Sequence, residues 1–386
     1  MAFSRVLNIN ELLKAKSHFL FGPRGTGKST LIKQNPTKDF MVIDLLESQT
    51  RIRLLQHPED LESLIDEQVQ PRKQKTNAVV IDEIQKVPEL LDEVHRLIEK
   101  NQTRFLLTGS SARKLKRSAA NLLGGRARIA NLFPLTFSEI PDFNLLRYLT
   151  FGGLPAIYTS DDPYDDLMAY VNSYLNEEVE QEAQVRNLGK FARFLKCAAL
   201  SNSQQINYAS IASDAMVSES TVRSHYMILK DTLMGDLLEP WKESKKRKAV
   251  QTPKFYFFDT GVTNAIVGKR SLTPQTVDFG QAFESFIYME LKAALDYKRA
   301  HLPLTYWRSV SHQEVDFLIG DTVAIEIKAK ERATMRDTVG IQALREEKIF
   351  KKFFLISLDP QPRHENGISF LHWRDFLTKL WEGTVF

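Results

Sequence analysis

The chain has 386 residues, of which 43% are hydrophobic and 26% are charged, a composition typical of packed globular domains and not of disordered chains. At about 100–200 residues per domain, this length predicts two to four domains. The net charge of +4 permits nucleic-acid binding but does not by itself indicate it. The single cysteine, Cys197, excludes disulfides within the chain and a cysteine-based zinc site.

Membrane and secretion patterns are also missing from the sequence. No run approaches the roughly 18 consecutive apolar residues of a membrane span. Residues 1–16 carry charges every few positions, unlike the apolar core of a secretory signal. We therefore expect a cytoplasmic protein with no membrane partner.

The first 140 or so residues alternate strand-like apolar runs with helical patterns. The predicted strands are His18–Phe21, Phe40–Asp44, Asn77–Asp82 and Arg104–Thr108. Short apolar runs separated by helices predict a buried parallel sheet.

A glycine-rich segment follows the first predicted strand. Residues 22–29 match G-x-x-x-x-G-K-[ST], and a helical pattern comes next, which is the context of a phosphate-binding loop. Lys28 is expected to reach the β- and γ-phosphates of ATP, and Ser29 is expected to hold Mg²⁺. The predicted ATP-binding residues are Gly22, Gly25, Thr26, Gly27, Lys28, Ser29 and Thr30.

The predicted strand that starts at Asn77 ends in two carboxylates, Asp82 and Glu83. Acids at the carboxyl edge of a parallel sheet lie where α/β folds bind their ligands. Asp82 is expected to hold Mg²⁺ together with Ser29, and Glu83 is expected to orient and polarise the attacking water. The sequence therefore predicts a Mg²⁺-dependent ATPase.

Six segments together resemble a prokaryotic family of AAA+ ATPases that carry a C-terminal domain of unknown function with a restriction-endonuclease-like core. They are FGPRGTGKST, VVIDEIQKVPEL, FLLTGSSARKL, LLGGRARIANLFPLTFSEI, YLTFGGLP and TPKFYFFDTGV, spread over nearly the whole chain. The resemblance implies that Ser110 or Thr108 contacts the attacking water or the γ-phosphate. It also implies a homo-oligomer in which Arg126, with Arg128 and Arg113 as alternatives, reaches the γ-phosphate of a neighbouring subunit.

Residues 165–235 are predicted to be helical, and within them residues 206–226 have the rhythm of two short helices joined by a tight turn. Ser218 or Ser220 is expected to cap the second helix. That helix would direct Thr221, Arg223, Ser224 and His225 toward a major groove. The basic run Lys245–Lys248 would form a wing between two strands and contact phosphates. The alternative is a packing module with a solvated basic hairpin tip.

Carboxylates recur in the last third of the chain. Glu284 lies on a predicted helix, Gly280–Asp296, and the predicted strands Thr305–Ser309, Glu314–Ile319 and Val323–Lys328 follow, with a terminal helix at His372–Trp381. Glu326 and Lys328 face the same side because residues two apart share a face of a strand. Asp316 can meet them from the neighbouring strand.

A helix glutamate, then an aspartate, then Glu-x-Lys is the order of the PD-(D/E)xK nuclease core. Asp316, Glu326 and Glu284 are predicted to hold Mg²⁺ for phosphodiester cleavage, and Lys328 is predicted to orient or deprotonate the water. The alternative is a pair of amphipathic strands with solvated side chains.

The sequence thus predicts an α/β protein of four parts. These are an AAA+ parallel-sheet domain (1–142), a helical lid or linker (143–200), a winged helix (201–262) and a restriction-endonuclease-like α/β domain (263–386). The predicted function couples ATP and Mg²⁺ to nucleic-acid binding, DNA being favoured over RNA, and to metal-dependent cleavage. The alternative function is an ATP-gated binding or scaffold protein whose nuclease-like domain is inactive and only recognises partners.

Overall fold

The structure is a computed structural model that describes residues 3–34, 40–69, 78–109, 122–175, 179, 185 and 187–386. The strands are β1 Ser17–Phe21, β2 Phe40–Asp44, β3 Ala78–Asp82, β4 Arg104–Gly109, β5 Ala127–Asn131, β6 Gly235–Leu238, β7 Lys254–Phe257, β8 Leu304–Arg308, β9 Glu314–Ile319, β10 Val323–Lys328, β11 Lys352–Ser357, β12 Arg363–Glu365 and β13 Ile368–His372.

The helices flank these strands and fill the middle of the chain. They are α1 Ile9–Ala15, α2 Lys28–Lys33, α3 Ser48–Gln56, α4 Asp60–Val69, α5 Leu90–Asn101, α6 Leu145–Phe151, α7 Pro155–Tyr158, α8 Pro163–Ser173, α9 Leu188–Leu200, α10 Tyr208–Ala215, α11 Glu219–Asp231, α12 Thr260–Ile266, α13 Val277–Tyr297, α14 Val339–Arg345 and α15 Trp373–Glu382. No helix in the described parts of the chain is long and apolar enough to cross a membrane.

The first sheet has the strand order β2-β3-β4-β1-β5, and all its pairs are parallel. The predicted parallel sheet is therefore confirmed, and the four predicted strands lie within it. The strand β5 was not predicted, because this edge strand exposes Arg128 and Ile129 and so lacks a continuous apolar run.

The second sheet is mixed, with the order β12-β13-β11-β10-β9-β8. The β8-β9 and β9-β10 pairs are antiparallel, whereas β10, β11 and β13 run parallel. Apolar side chains form a core on each of its faces, as expected for a sheet covered on both sides. The strand β9 carries Glu314 and Asp316, and β10 carries Glu326 and Lys328.

Along the chain, α9, α10, α11 and the antiparallel pair β6-β7 come between the strands of the first sheet and those of the second. Their core is continuous with that of the second sheet: one buried apolar cluster extends from Leu135 to Val385. The rings of Tyr256 on β7 and Tyr288 on α13 stack with centroids 4.1 Å apart. The apolar core thus crosses the expected boundary between residues 262 and 263.

Candidate functional site

The glycine-rich loop joins β1 to α2. Gly27 caps α2 with φ +93°, in the left-handed region that favours glycine. The Lys28 side chain is buried, and its Nζ donates to the carbonyl oxygens of Gly22 at 2.5 Å and Pro23 at 3.1 Å. Thr26 is buried and donates to the Pro23 carbonyl, whereas Thr30 is exposed on α2. A buried ammonium inside a glycine-rich turn fits a phosphate ligand.

Ser29 and Asp82 meet at the carboxyl edge of the first sheet. The Ser29 hydroxyl donates to Oδ2 of Asp82 at 2.9 Å. The buried Thr108 hydroxyl donates to Oδ1 of Asp82 and accepts the Glu83 backbone N–H at 3.2 Å. Hydroxyl and carboxylate oxygens are the ligands that Mg²⁺ prefers, so this pair fits the ion. Thr108 therefore contacts the acid pair, while its alternative Ser110 lies outside the described residues.

Glu83 follows Asp82 in a constrained backbone position, with φ +62°. Its carboxylate accepts a hydrogen bond from the Gln85 side chain. Burial raises the pKa of Glu83; the nearby Lys28 opposes that shift and Asp82 adds to it. A carboxylate with a raised pKa next to a phosphate loop suits a group that takes a proton from water.

A cavity of about 420 Å³ adjoins the phosphate loop at Arg24 and Gly25. Its other walls come from residues 154–174 and from the segment that follows α11, and include Leu154, Ile157, Tyr170 and Met234. The cavity is mainly apolar and lies next to the glycine-rich loop, a position that suits the base of a nucleotide.

Arg126 lies between the first sheet and α5, where its Nε donates to Glu99. The side chain is 36% exposed. In this chain the guanidinium thus forms an ion pair with its own subunit, and its action on a neighbouring subunit stays a prediction. Its alternative Arg128 is exposed on β5, and Arg113 lies outside the described residues.

Arg5 supports the phosphate loop and was not predicted from the sequence. Its Nη1 donates to the Thr26 carbonyl at 2.7 Å, and its Nη2 donates to the Phe133 carbonyl at 2.6 Å. Its Nε forms a buried ion pair with Glu139 at 3.0 Å. Arg5 lies outside every motif in the sequence, so only the fold brings it to the loop.

The second candidate site lies in the second sheet. We call Glu284, Glu314, Asp316, Glu326 and Lys328 the C-terminal carboxylate site. Lys328 donates to Glu326 at 2.5 Å. Oδ2 of Asp316 accepts the N–H of Ile327 at 2.8 Å, so β9 brings this carboxylate between Glu326 and Lys328. The structure therefore brings the three predicted strand residues together.

Lys254, the first residue of β7, enters the same site and was not predicted from the sequence. Its Nζ lies 2.6 Å from Glu314, 3.1 Å from Glu284 and 3.8 Å from Asp316. Oε1 of Glu284 also accepts the Tyr256 hydroxyl at 2.5 Å. A lysine at the start of the run KFYFF is typical of a solvated strand end, so the sequence alone does not reveal this contact.

The charges of the C-terminal carboxylate site are strongly coupled. Burial raises the pKa of Glu326 well above its usual value; Asp316 adds to this and Lys328 opposes it. Burial lowers the pKa of Lys254, but the surrounding carboxylates outweigh burial and the net pKa is well above the usual value. Lys254 is therefore a cation within the site at neutral pH.

The hydrogen bonds and ion pairs of the carboxylates at this site indicate which of them could bind a divalent metal ion. Across the described ranges, no group of three or more His, Cys, Asp or Glu side chains is arranged to hold a metal ion. Oε2 of Glu326, however, is buried without a hydrogen-bond partner among the described residues, which is costly unless a ligand satisfies it. Asp316 and Glu326 are thus the carboxylates that fit a divalent ion, while Glu284 is engaged by Lys254.

The two predicted short helices are α10 and α11. Ser218 caps α11 by accepting the Thr221 backbone N–H, which decides between the two cap candidates. Arg223 and Ser224 are exposed, and the Arg223 guanidinium lies 3.7 Å from the centroid of the Tyr208 ring. The expected exposure of His225 is wrong: this side chain is buried between Phe191 and Phe194.

The basic run lies between β6 and β7 as predicted, but it does not project freely. The flanking backbone pairs with the edge strand β8, through Trp241 to Tyr306 and Val250 to Arg308. Glu347 accepts the backbone N–H groups of Lys245 and Lys246, and Arg247 pairs with Glu346. The side chains of Lys245, Lys246 and Lys248 remain exposed.

Three segments of the chain match known families. Residues 14–141 match the family described as AAA domain. Residues 142–273 and 279–376 match two domains of unknown function, DUF8612 and DUF4143. With the five-stranded parallel sheet, these matches support a prokaryotic AAA-type ATPase with a C-terminal domain of unknown function. The AAA match also supports nucleotide binding, with ATP as the expected nucleotide.

Similar proteins occur in bacteria and in an archaeon. An uncharacterized protein of Mycobacterium tuberculosis is 26% identical over 82% of this chain and 71% of its own length. An uncharacterized protein of Haemophilus influenzae is 24% identical over 70% of this chain and 72% of its own length. An uncharacterized protein of Methanocaldococcus jannaschii is 24% identical over 80% of this chain and 73% of its own length.

Proposed function

We propose that the protein is a Mg²⁺-dependent ATPase whose nucleotide state is coupled to nucleic-acid binding. The observation that carries the ATPase proposal is the meeting of Lys28, Ser29, Asp82 and Glu83 at one sheet edge. Lys28 binds the β- and γ-phosphates, Ser29 and Asp82 hold Mg²⁺, and Glu83 orients the attacking water. The adenine base occupies the cavity beside Arg24 and Gly25.

The ATPase proposal is tested with Glu83→Gln. The variant keeps the phosphate loop but loses the carboxylate that accepts a proton, so ATP still binds while turnover falls by about 100-fold or more. Glu89→Gln is the matched control, since Glu89 lies six residues further along and is exposed. Turnover at the wild-type rate in Glu83→Gln would remove Glu83 from the mechanism.

We assign nucleic-acid binding to the winged-helix arrangement of α10, α11 and the β6-β7 pair. Exposed Arg223 and Ser224 on the cap-proximal half of α11 support this assignment, because that part of such a helix enters the major groove. The exposed side chains of Lys245, Lys246 and Lys248 add positive charge. DNA is the favoured partner.

Salt dependence tests this surface. Replacing Lys245, Lys246 and Lys248 with Gln should reduce the slope of log affinity against log salt by about 2 to 3 on duplex DNA, because fewer counterions are released. Lys33, Lys351 and Lys379, which are also exposed, form a control triple variant. Equal slopes in the two triple variants would place the nucleic acid elsewhere.

A second function, metal-dependent phosphodiester cleavage, is supported by the buried and unpartnered Oε2 of Glu326 beside Asp316. Asp316 and Glu326 would hold a divalent ion, which polarises a phosphodiester and activates water. Lys328 would orient that water. Lys254, by contrast, favours the alternative of an ATP-gated binding protein with an inactive nuclease-like domain, because it already neutralises two of the carboxylates.

Cleavage assays decide between these alternatives. Plasmid, single-stranded DNA and RNA are incubated with Mg²⁺ or Mn²⁺, with and without ATP. Asp316→Ala should abolish cutting and leave ATP hydrolysis intact, whereas Asp321→Ala, in the exposed turn of the same hairpin, should change neither. If wild type cuts no substrate, the binding-only alternative stands.

Homo-oligomerisation through the AAA domains is part of the proposal, with Arg126 acting on the neighbour's γ-phosphate. The Arg126-to-Glu99 ion pair would then break on assembly. Arg126→Ala should lower ATP turnover while nucleotide affinity is kept. A monomer at all concentrations and nucleotide states, measured by mass photometry, would contradict this part.

A further inference from the structure

Lys254 is buried in a place where a lysine is unusual. It starts β7, and its side chain is only 3% exposed. Its backbone pairs with Leu238 on β6 and bridges to Gln205, which directly precedes the α10–α11 region. The strand is thus anchored in the middle of the chain, while the ammonium reaches the C-terminal carboxylate site.

The ammonium satisfies the carboxylates that surround it. Its contacts with Glu314 and Glu284, at 2.6 and 3.1 Å, are within hydrogen-bonding distance. Oδ1 of Asp316 lies 3.8 Å away, while its Oδ2 is used by the Ile327 N–H. A buried cation that pairs with several carboxylates stabilises them only while it stays among them.

Other cations hold some of the remaining carboxylate oxygens of the site. Glu314 is shared between Lys254 and Arg308, and Glu326 is held at one oxygen by Lys328. A divalent ion between Asp316 and Glu326 would lie close to the Lys254 ammonium, which is 3.8 Å from Oδ1 of Asp316. Two positive charges that are this close and shielded from water repel each other strongly.

We propose that the Lys254 ammonium, which lies among Glu284, Glu314 and Asp316, keeps divalent metal ions out of the C-terminal carboxylate site, and that such an ion binds Asp316 and Glu326 only when this ammonium withdraws. The inference rests on the metal site of the proposed cleavage function and adds its regulation. In the arrangement described here, Lys254 holds the site closed to metal.

The test measures metal binding directly, in the full-length protein without nucleotide. Isothermal titration calorimetry with Mn²⁺ is performed on wild type, Lys254→Met and Lys254→Arg. Lys254→Met should bind Mn²⁺ at least about tenfold more tightly than wild type, whereas Lys254→Arg, which keeps the charge, should stay at the wild-type affinity. Lys292→Met is the matched control, since Lys292 also pairs with a carboxylate, the half-buried Asp236, but lies outside the site.

Thermal unfolding gives a second measurement. Lys254→Met should unfold at lower temperature than wild type in EDTA and recover more stability than wild type when Mn²⁺ is added. If this variant does not fold in EDTA, Lys254→Met combined with Glu314→Gln removes one negative charge and keeps Asp316 and Glu326. Adding Asp316→Asn to either variant should abolish the gained affinity.

The outcomes separate this inference from the cleavage proposal. Equal or weaker Mn²⁺ binding in Lys254→Met, or in the double variant that replaces it, overturns the inference even if wild type cuts nucleic acid. Tighter Mn²⁺ binding supports the inference even if wild type cuts nothing, in which case only the cleavage proposal fails.

Discussion

Glu290 joins three separate parts of the chain through one buried carboxyl group on α13. Its Oε1 accepts the backbone N–H of Phe137 at 2.7 Å, and its Oε2 accepts the indole N–H of Trp381 at 2.7 Å. Burial raises the pKa of Glu290 to about 8, because the two N–H donors offset only part of the lost hydration. The carboxyl group is therefore mostly protonated at neutral pH.

This raised pKa predicts how Glu290→Gln changes the pH dependence of stability. The folded pKa of about 8 exceeds the usual 4.5, so the stabilisation from the protonated acid is complete below about 4.5 and is lost as the pH rises through 8. Between these limits, wild type should lose stability relative to Glu290→Gln by on the order of 1 kcal/mol per pH unit.

Urea unfolding of both proteins at several pH values measures this difference. Glu382→Gln, on the exposed surface of α15, is the control and should follow the wild-type profile. Parallel profiles for wild type and Glu290→Gln would show that the carboxyl group is ionised in the folded protein as it is in the unfolded chain.

Residues whose roles depend on local spacing could be predicted from the sequence. Lys28, Ser29 and Asp82 belong to short motifs at strand ends, and the structure places them at one edge of the sheet. Lys254 and Glu290 could not be predicted, because neither belongs to a short motif that indicates its partners, Glu284 for Lys254 and Trp381 for Glu290. Only the packing of β7 and α13 brings those partners together.

At the scale of elements, Asp259 joins the segment after α6 to the start of α12 by hydrogen bonds. Asp259 accepts the N–H of Gly153 at 2.7 Å and caps α12 by accepting the N–H of Val262 at 3.0 Å. Gly152 has φ +77°, and a Cβ there would lie 1.9 Å from Oδ1 of Asp259. The segments YLTFGGLP and FFDTGV are therefore two halves of one buried contact.

Gly152→Ala should accordingly destabilise the protein more than a glycine substitution in open space. Gly152 has φ +77° and ψ −171°, a backbone region that is essentially restricted to glycine and costs about 1–3 kcal/mol for alanine. The clash with Asp259 should bring the total to about 3 kcal/mol or more. Gly268→Ala is the matched control, since Gly268 has φ +78° and nothing within 4 Å of a Cβ. Urea unfolding measures both variants. Equal losses of unfolding free energy in Gly152→Ala and Gly268→Ala would mean that Asp259 moves away from the new methyl group without cost.

Strands built mainly of apolar residues were predicted best. β9 and β10 have the predicted bounds, Glu314–Ile319 and Val323–Lys328, because the residues on both sides of Asp316 and Glu326 are apolar, as in the buried strands of a covered sheet. The basic run Lys245–Lys248 was predicted as a wing, but its contacts with the second sheet's domain were not predicted. Its position depends on Glu346 and Glu347, about 100 residues away, and nothing in the local charge pattern indicates them.

At the scale of the whole molecule, the middle and C-terminal parts share one apolar core. Phe191 and Tyr226 of the helical region belong to the same buried cluster as Ile325 and Trp373 of the second sheet and α15. The units expected from the sequence at 201–262 and 263–386 stay a prediction; composition and periodicity show where elements change but not which apolar faces meet. The first sheet has its own core, which includes Phe105.

The shared core predicts that the middle and C-terminal parts unfold together. Trp373 is 3% exposed and packs against the rings of Phe137, Phe143 and Phe286. Trp373→Ala should cost about 3–5 kcal/mol. Hydrogen exchange followed by mass spectrometry should then show faster exchange in α9 and α11 as well as in β10 and β11, with β1 and β4 unchanged.

Phe105→Ala provides the reciprocal experiment, because Phe105 is fully buried in the core of the first sheet. It should speed exchange in β1, β3 and β4 and leave α11 and β10 protected, since cooperative units follow contiguous cores. If Trp373→Ala affected only residues after 263, the helical region would be an independent unit. Because the apolar cluster is continuous from Leu135 to Val385, we expect instead that Trp373→Ala, at the start of α15, also destabilises the helices of the middle part.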